Sequence, residues 1–165
     1  MSDKEKQYHL INAQVQAIIA DESDMIANMA NIAAVLFNGL EQVNWAGFYL
    51  FKQEQLVLGP FQGQPACIRI PMGKGVCGTS ASLRKTLVVE DVHDFAGHIA
   101  CDAASNSEIV IPIVSEDRLI GVLDIDSPIH ARFNEEDRLG LEGTVKLFIQ
   151  SLSTNTAEKL MEASH

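Results

Sequence analysis

Two segments of this chain share one layout: a run rich in aromatic or β-branched residues, two polar residues, then a second such run. Asn44 to Lys52, with Trp45, Phe48, Tyr49, Leu50 and Phe51, is followed by Gln53-Glu54 and then by Gln55 to Gln62. Ile109 to Val114 is followed by Glu116-Asp117 and then by Leu119 to Asp126. Aromatic and β-branched residues suit the pleated, half-buried surface of a strand. So short a connection joins only antiparallel strands, because a parallel crossover needs a dozen or more residues. The sheet is therefore expected to be antiparallel and assembled from hairpins.

Helical periodicity frames that sheet. Residues 3–20 put Tyr8, Ile11, Val15, Ile18 and Ile19 at helical spacing. Asp21-Glu22-Ser23-Asp24 breaks this helix and offers Ser23 or Asp24 as the next N-cap. The second helix carries Ile26, Met29, Ala33, Leu36 and Phe37 and is expected to stop in a left-handed cap at Asn38-Gly39. Asn134 caps a last helix, with Glu135, Glu136 and Asp137 facing its positive end. Leu141, Val145, Phe148 and Leu152 form its apolar face, and the final ten residues are expected to fray. Between the hairpins come a short extended piece (Cys67-Ile68-Arg69-Ile70), a loop (Pro71 to Gly75), a short helix (Val76 to Arg84), a short strand (Thr86 to Val89) and a long irregular segment, 92–107. A loop that long inside a compact domain is usually functional or disordered. The fold class is α+β, a central antiparallel sheet with helices packed on it. One domain over 1–165 is expected, with N-terminal helices in 3–38, sheet and loops in 44–128, and a C-terminal helix in 134–153.

Charge excludes some functions. A net charge of −10 leaves no basic surface to displace counterions, so neither nucleic acid nor an anionic membrane is an expected partner. The start of the chain, Met1 to Lys6, is polar and lacks the apolar core of a secretory signal. No run approaches the ~18 apolar residues of a membrane span. A cytoplasmic location follows as the expectation. There, three cysteines are either inert thiols or partners in transient redox chemistry.

Those cysteines, Cys67, Cys77 and Cys101, lie in one stretch that closes on carboxylates. None forms a Cys-x-x-Cys pair, and His93, His98 and Cys101 match no standard spacing, so no metal is expected. A cysteine is commonly a small buried hydrophobe. Cys101 departs from that rule, sitting in the polar loop Ala100 to Asn106 where a reactive thiol would be reachable. Cys77 falls in the first turn of the short helix, where the helix dipole would lower its pKa. Asp124 and Asp126 share one face of a strand by period 2, and Glu108 opens the neighbouring strand and is placed to converge on them. The alternatives are three solvated strand ends or a cluster that binds an ammonium and keeps one carboxyl protonated. Trp45 and Tyr49, four apart on a strand, share a side and suit either core or a site wall. Gly73-Lys74-Gly75-Val76-Cys77-Gly78 fits a dinucleotide pattern but has no βαβ unit around it. It reads as a turn before a helix whose first N–H groups suit a carboxylate.

Four segments together carry a resemblance: Asn44-Trp45-Ala46-Gly47-Phe48-Tyr49, Leu58-Gly59-Pro60-Phe61-Gln62-Gly63, Gly73 to Gly78, and Gly121-Val122-Leu123-Asp124-Ile125-Asp126-Ser127. They resemble the free methionine-(R)-sulfoxide reductases, stand-alone GAF domains. The resemblance implies reduction of the R epimer of free methionine sulfoxide, with no cofactor and with electrons from thioredoxin. It implies Cys101 as nucleophile, passing through a sulfenic acid, and Cys67 as the resolving thiol that forms a disulfide with it. Cys77 becomes an alternative resolving thiol or relay. Glu108, Asp124 and Asp126 become an acidic pocket, walled by Trp45 and Tyr49. A GAF module that senses a small molecule without chemistry is the competing expectation, and a thiol peroxidase a third. The apolar stripes of the terminal helices would allow chains to pair, so a homodimer is expected.

Overall fold

The computed structural model describes residues 1–99 and 104–163, with side chains described through residue 152. Helix α1 spans Asp3–Ile19 and α2 spans Met25–Gly39. Strands β1 (Trp45–Lys52) and β2 (Gln55–Gly63) form the first hairpin. Strand β3 (Arg69–Pro71), helix α3 (Gly75–Leu83), strand β4 (Leu87–Val89) and a 3-10 turn (Val92–Asp94) follow. Strands β5 (Ser107–Ser115) and β6 (Arg118–Ser127) form the second hairpin, and α4 runs over Glu135–Ala163. The six strands make one sheet in the order β3-β2-β1-β6-β5-β4, every pair antiparallel. The expected α+β class holds.

Side-chain alternation gives the sheet two different faces. Ala46, Phe48, Leu50, Ile109, Ile111, Ile113, Leu123 and Ile125 pack under α1, α2 and α4 in the larger core. Trp45, Tyr49, Val110 and Val122 face the other way and pack with Ile70, Val76 and Cys77. Helix α3 is the only helix over that second face among the described residues, and it leaves room for a cavity.

Capping settles the helix boundaries. Asp24, not Ser23, caps α2, its Oδ1 accepting from the Ala27 N–H at 2.8 Å. Helix α2 ends at Gly39 as expected, but without the left-handed cap. The chain leaves α2 through Leu40 in extended conformation, and the Leu40 N–H still donates to Leu36 O. Burial of Leu40 (5 % exposed) in the larger core explains that exit. Asn134 Oδ1 accepts from the N–H groups of Glu136 and Asp137, while Asp137 Oδ2 accepts from the Asn134 N–H, a reciprocal capping box. Asp137 is fully buried and also takes hydrogen bonds from Tyr8 Oη and Lys4 Nζ, both at 2.7 Å, which locks α1 onto α4. Helix α4 continues well past the expected 153, because no glycine or proline follows Gly143 and the tail is rich in good helix formers.

Both hairpin turns place two consecutive non-glycine residues at positive φ: Gln53 (53°) with Glu54 (63°), and Glu116 (52°) with Asp117 (61°). This is the type I′ geometry that matches strand twist. Side chains there carry a penalty of about 1–2 kcal/mol per residue that glycine avoids. Replacing Glu54 by Gly is expected to raise stability by about 0.5–1 kcal/mol, the relief being partly offset by glycine's greater freedom in the unfolded chain. Urea unfolding of E54G against the parent checks this, and an unchanged or lower midpoint would show the turn to be unstrained.

Candidate active site

The cavity on the second face is built from strand register. Trp45 on β1 lies opposite Asp126 on β6, and Asp126 lies opposite Glu108 on β5. Asp124 sits between Gly47 and Val110. Period 2 along β6 thus presents both aspartates beside Glu108, as the spacing indicated. Helix α3 crosses above and lowers Cys77 onto the group. Cys77 Sγ donates to Glu108 Oε2 at 3.8 Å, and the polar atoms of Cys77, Glu108 and Asp124 lie within 4.8 Å of one another.

An aromatic wall closes one side. Trp45 stacks on Tyr49 (centroids 6.0 Å apart) and on Phe61 (5.2 Å). Gly47 makes the second stack possible, because a Cβ there would fall 2.2 Å from Phe61 Cβ. Trp45 Nε1 donates to Gln64 O at 3.1 Å, and Tyr49 Oη donates to Cys67 O at 2.9 Å. The wall therefore holds the β2–β3 loop that carries Cys67. Expected to open the extended piece, that residue instead sits in the loop two residues before β3, and it is disulfide-bonded. Cys77 is a free, buried thiol. The position assigned to the nucleophile, Cys101, lies outside the described residues.

Three lining residues carry no sequence signal of their own. Ser105 accepts from Asn44 Nδ2 at 3.4 Å, Lys74 stands exposed at the start of α3, and His98 approaches from the long loop. His93 pairs with Asp91 on the surface (2.8 Å) and does not line the cavity. The glycine loop serves as the entry to α3, where the Gly75 N–H donates to Gly97 O and ties the helix start to the long loop.

Burial dominates the electrostatics. It pushes Glu108 well above the ordinary carboxylate range, reinforced by Asp124 and Asp126 beside it. Asp124 is also raised by burial, although hydrogen bonds with Glu108, Cys77 and Asp126 pull the other way. Asp124 Oδ1 has no hydrogen-bond partner among the described residues. Burial, then Asp124 and Glu108, push the Cys77 thiol well up. The expectation that the helix dipole would activate Cys77 is thereby overturned: desolvation and neighbouring negative charge outweigh the dipole. Tyr49 is raised by burial and then by Asp124, so its phenol stays protonated as a donor. Among the carboxyls of the cluster, Glu108 is the one best able to hold a proton at neutral pH.

A GAF domain model matches residues 15–152. The free methionine-R-sulfoxide reductase of Escherichia coli is 49 % identical over 157 residues, covering 95 % of each chain. The chain belongs to the free methionine-R-sulfoxide reductase family of GAF domains. A second family member, the free methionine-R-sulfoxide reductase of Neisseria meningitidis in complex with its substrate, superposes with a TM-score of 0.91 at 44 % identity, over 96 % of this chain and 95 % of that one. The reduced form of the Staphylococcus aureus fRMsr gives 0.86 at 56 % identity, over 88 % and 94 %.

Because Glu108 and Asp124 titrate higher in the folded chain than in the unfolded one, their protonated forms favour folding. That contribution is complete below the ordinary carboxylate range and is lost as pH rises through the raised values. Asp124→Asn is therefore expected to stabilise the protein at pH 7 by about 1–3 kcal/mol and to change little near pH 4. Thermal unfolding of D124N and parent at both pH values checks this, and a variant less stable at pH 7 would contradict it.

Proposed function

We propose that this protein reduces free L-methionine-(R)-sulfoxide to methionine, with electrons carried by its own thiols and restored by thioredoxin. One observation carries the redox part. Cys67, held at the cavity wall through Tyr49, is disulfide-bonded, whereas the deeper Cys77 is free. Near-full-length identity to a free methionine-R-sulfoxide reductase supports the substrate.

In this reading the substrate ammonium lies on Asp124 and Asp126 and its apolar arm lies along Trp45. The α-carboxylate faces the start of α3 beside Lys74, where helix N–H groups and a cation favour an anion. Glu108 donates the proton that turns the sulfoxide oxygen into a leaving group. The Cys101 thiolate attacks the protonated sulfoxide at sulfur; the hydroxyl then moves from that sulfur to Cys101 as the new sulfur–sulfur bond breaks, giving a sulfenic acid and free methionine. The Cys67 thiol then displaces that oxygen as water and forms the Cys67–Cys101 disulfide, which a thioredoxin dithiol reduces by exchange. Cys77, neutral and buried, is at most a reserve thiol. No cofactor is required, and a reducing cytoplasm suits the cycle. A homodimer through the terminal helices belongs to the same proposal, supported by exposed Leu10 and Leu139.

A thioredoxin-coupled assay with separated epimers tests it. NADPH oxidation is expected with free R-sulfoxide and not with the S epimer or a peptide-bound residue. Cys101→Ser should fall to background, Cys67→Ser should accumulate a trappable sulfenic acid, and Glu108→Gln should lower kcat more than it raises KM. A Cys101→Ser protein that keeps binding the sulfoxide, beside a parent that never turns it over, would instead favour the non-catalytic GAF sensor. Efficient consumption of hydrogen peroxide would favour the peroxidase.

A further inference from the structure

The thiol the cycle leaves over has its own chemistry. Cys77 contributes sulfur and Glu108 and Asp124 contribute oxygen to a cluster within 4.8 Å, all three residues buried. A tetrahedral zinc ion, with bonds of about 2.0–2.3 Å, holds neighbouring donors about 3.3–3.7 Å apart. The sulfur–oxygen separation of 3.8 Å already approaches that figure. The remaining adjustment is about an ångström, within the reach of side-chain torsions.

A second observation points to a cation independently of the clustering. Asp124 is 5 % exposed and lines the cavity, and its Oδ1 has no hydrogen-bond partner among the described residues. A buried acceptor without a donor is costly and is relieved by an incoming positive charge. The substrate ammonium is one such charge. An ammonium, however, has no use for the sulfur.

We propose that the reduced protein binds one thiophilic divalent cation, of the zinc and cadmium class, between Cys77 Sγ, Glu108 and Asp124. The donor set decides the class: a thiolate selects zinc or cadmium, whereas magnesium and calcium prefer sites made wholly of oxygen. Three protein donors leave a fourth position facing the cavity for a water molecule. Binding exchanges the Cys77 proton and the proton held on Glu108 for the metal and releases both to solvent, with no change of oxidation state. The spacing of the three donors along the chain matches no local zinc pattern, because β5, β6 and α3 each supply one. The cation takes the carboxylates assigned to the substrate, so the two exclude each other. That exclusion rests on the proposed function, while the metal binding does not.

Equilibrium dialysis of the reduced full-length protein against zinc tests the binding, with cobalt(II) absorption as a spectroscopic probe of the same site. About one metal per chain is expected, with a near-ultraviolet sulfur-to-cobalt band and tetrahedral visible bands. Cys77→Ser should abolish the sulfur band and weaken zinc binding at least about tenfold, and Glu108→Gln should also weaken it. A Cys67→Ser/Cys101→Ser double variant should retain both signals. Metal kept by Cys77→Ser but lost from the double variant would overturn the proposal, as would no stoichiometric binding by the parent. In the coupled assay zinc should raise KM for the sulfoxide without changing kcat. Metal binding without any sulfoxide turnover would defeat the catalytic reading and leave this site standing.

Discussion

Glu108 and Asp126 face each other across a β-ladder, and Asp124 projects from the same side two residues earlier. Like charges so placed repel, and here they do so away from water. The surrounding structure holds them in spite of this. The register of β5 on β6 is fixed by Ile109, Ile111, Leu123 and Ile125 on the opposite face, which a one-residue slip would turn out of the larger core. The hydrophobic face thus enforces an arrangement the polar face would not choose. The strain is useful: a carboxyl that cannot easily ionise is a proton donor, and a carboxylate short of partners is a receptor for an ammonium or a metal.

Much of the architecture was legible because it depends on local rules. Two-residue connections require antiparallel partners, and alternation puts Trp45 with Tyr49 and Asp124 with Asp126. Convergence of Glu108 on the aspartates could be read from its place at the start of the adjacent strand. The failures share a cause, since each involved burial that no local pattern reports. Asn38-Gly39 does end a helix, but the docking of Leu40 makes the exit extended and not left-handed. The first helical turn should activate Cys77, but β5 and β6 bring two carboxyls to it from distant parts of the chain. Lys74, Ser105 and His98 had no signal because they join the cavity only once α3 and the long loop fold over the sheet.

The two cysteines near the cavity illustrate how one residue type is divided by environment. Cys67 lies on a loop held by Trp45 and Tyr49 and takes part in a disulfide. Cys77 is on the buried face of α3, protonated, and among acids. Thiol exchange needs an approachable sulfur with thiolate character, and the second location denies both. The proposed metal site would give Cys77 a use that needs neither, since a metal can enforce coordination where solvent cannot.

The contacts around Asp137 bind the beginning of the chain to its last helix. Lys4 and Tyr8 reach it from α1, Arg132 approaches at 3.3 Å, and Gly140 sits so close that a Cβ would strike the Tyr8 ring at 2.2 Å. The protein is thereby closed into a ring by side chains rather than by a covalent bond. Trimming the first eight residues would do more than shorten a helix: it would leave the buried Asp137 carboxylate with Arg132 and the Asn134 N–H as its remaining partners. An extension ahead of Met1, by contrast, would remove none of these contacts.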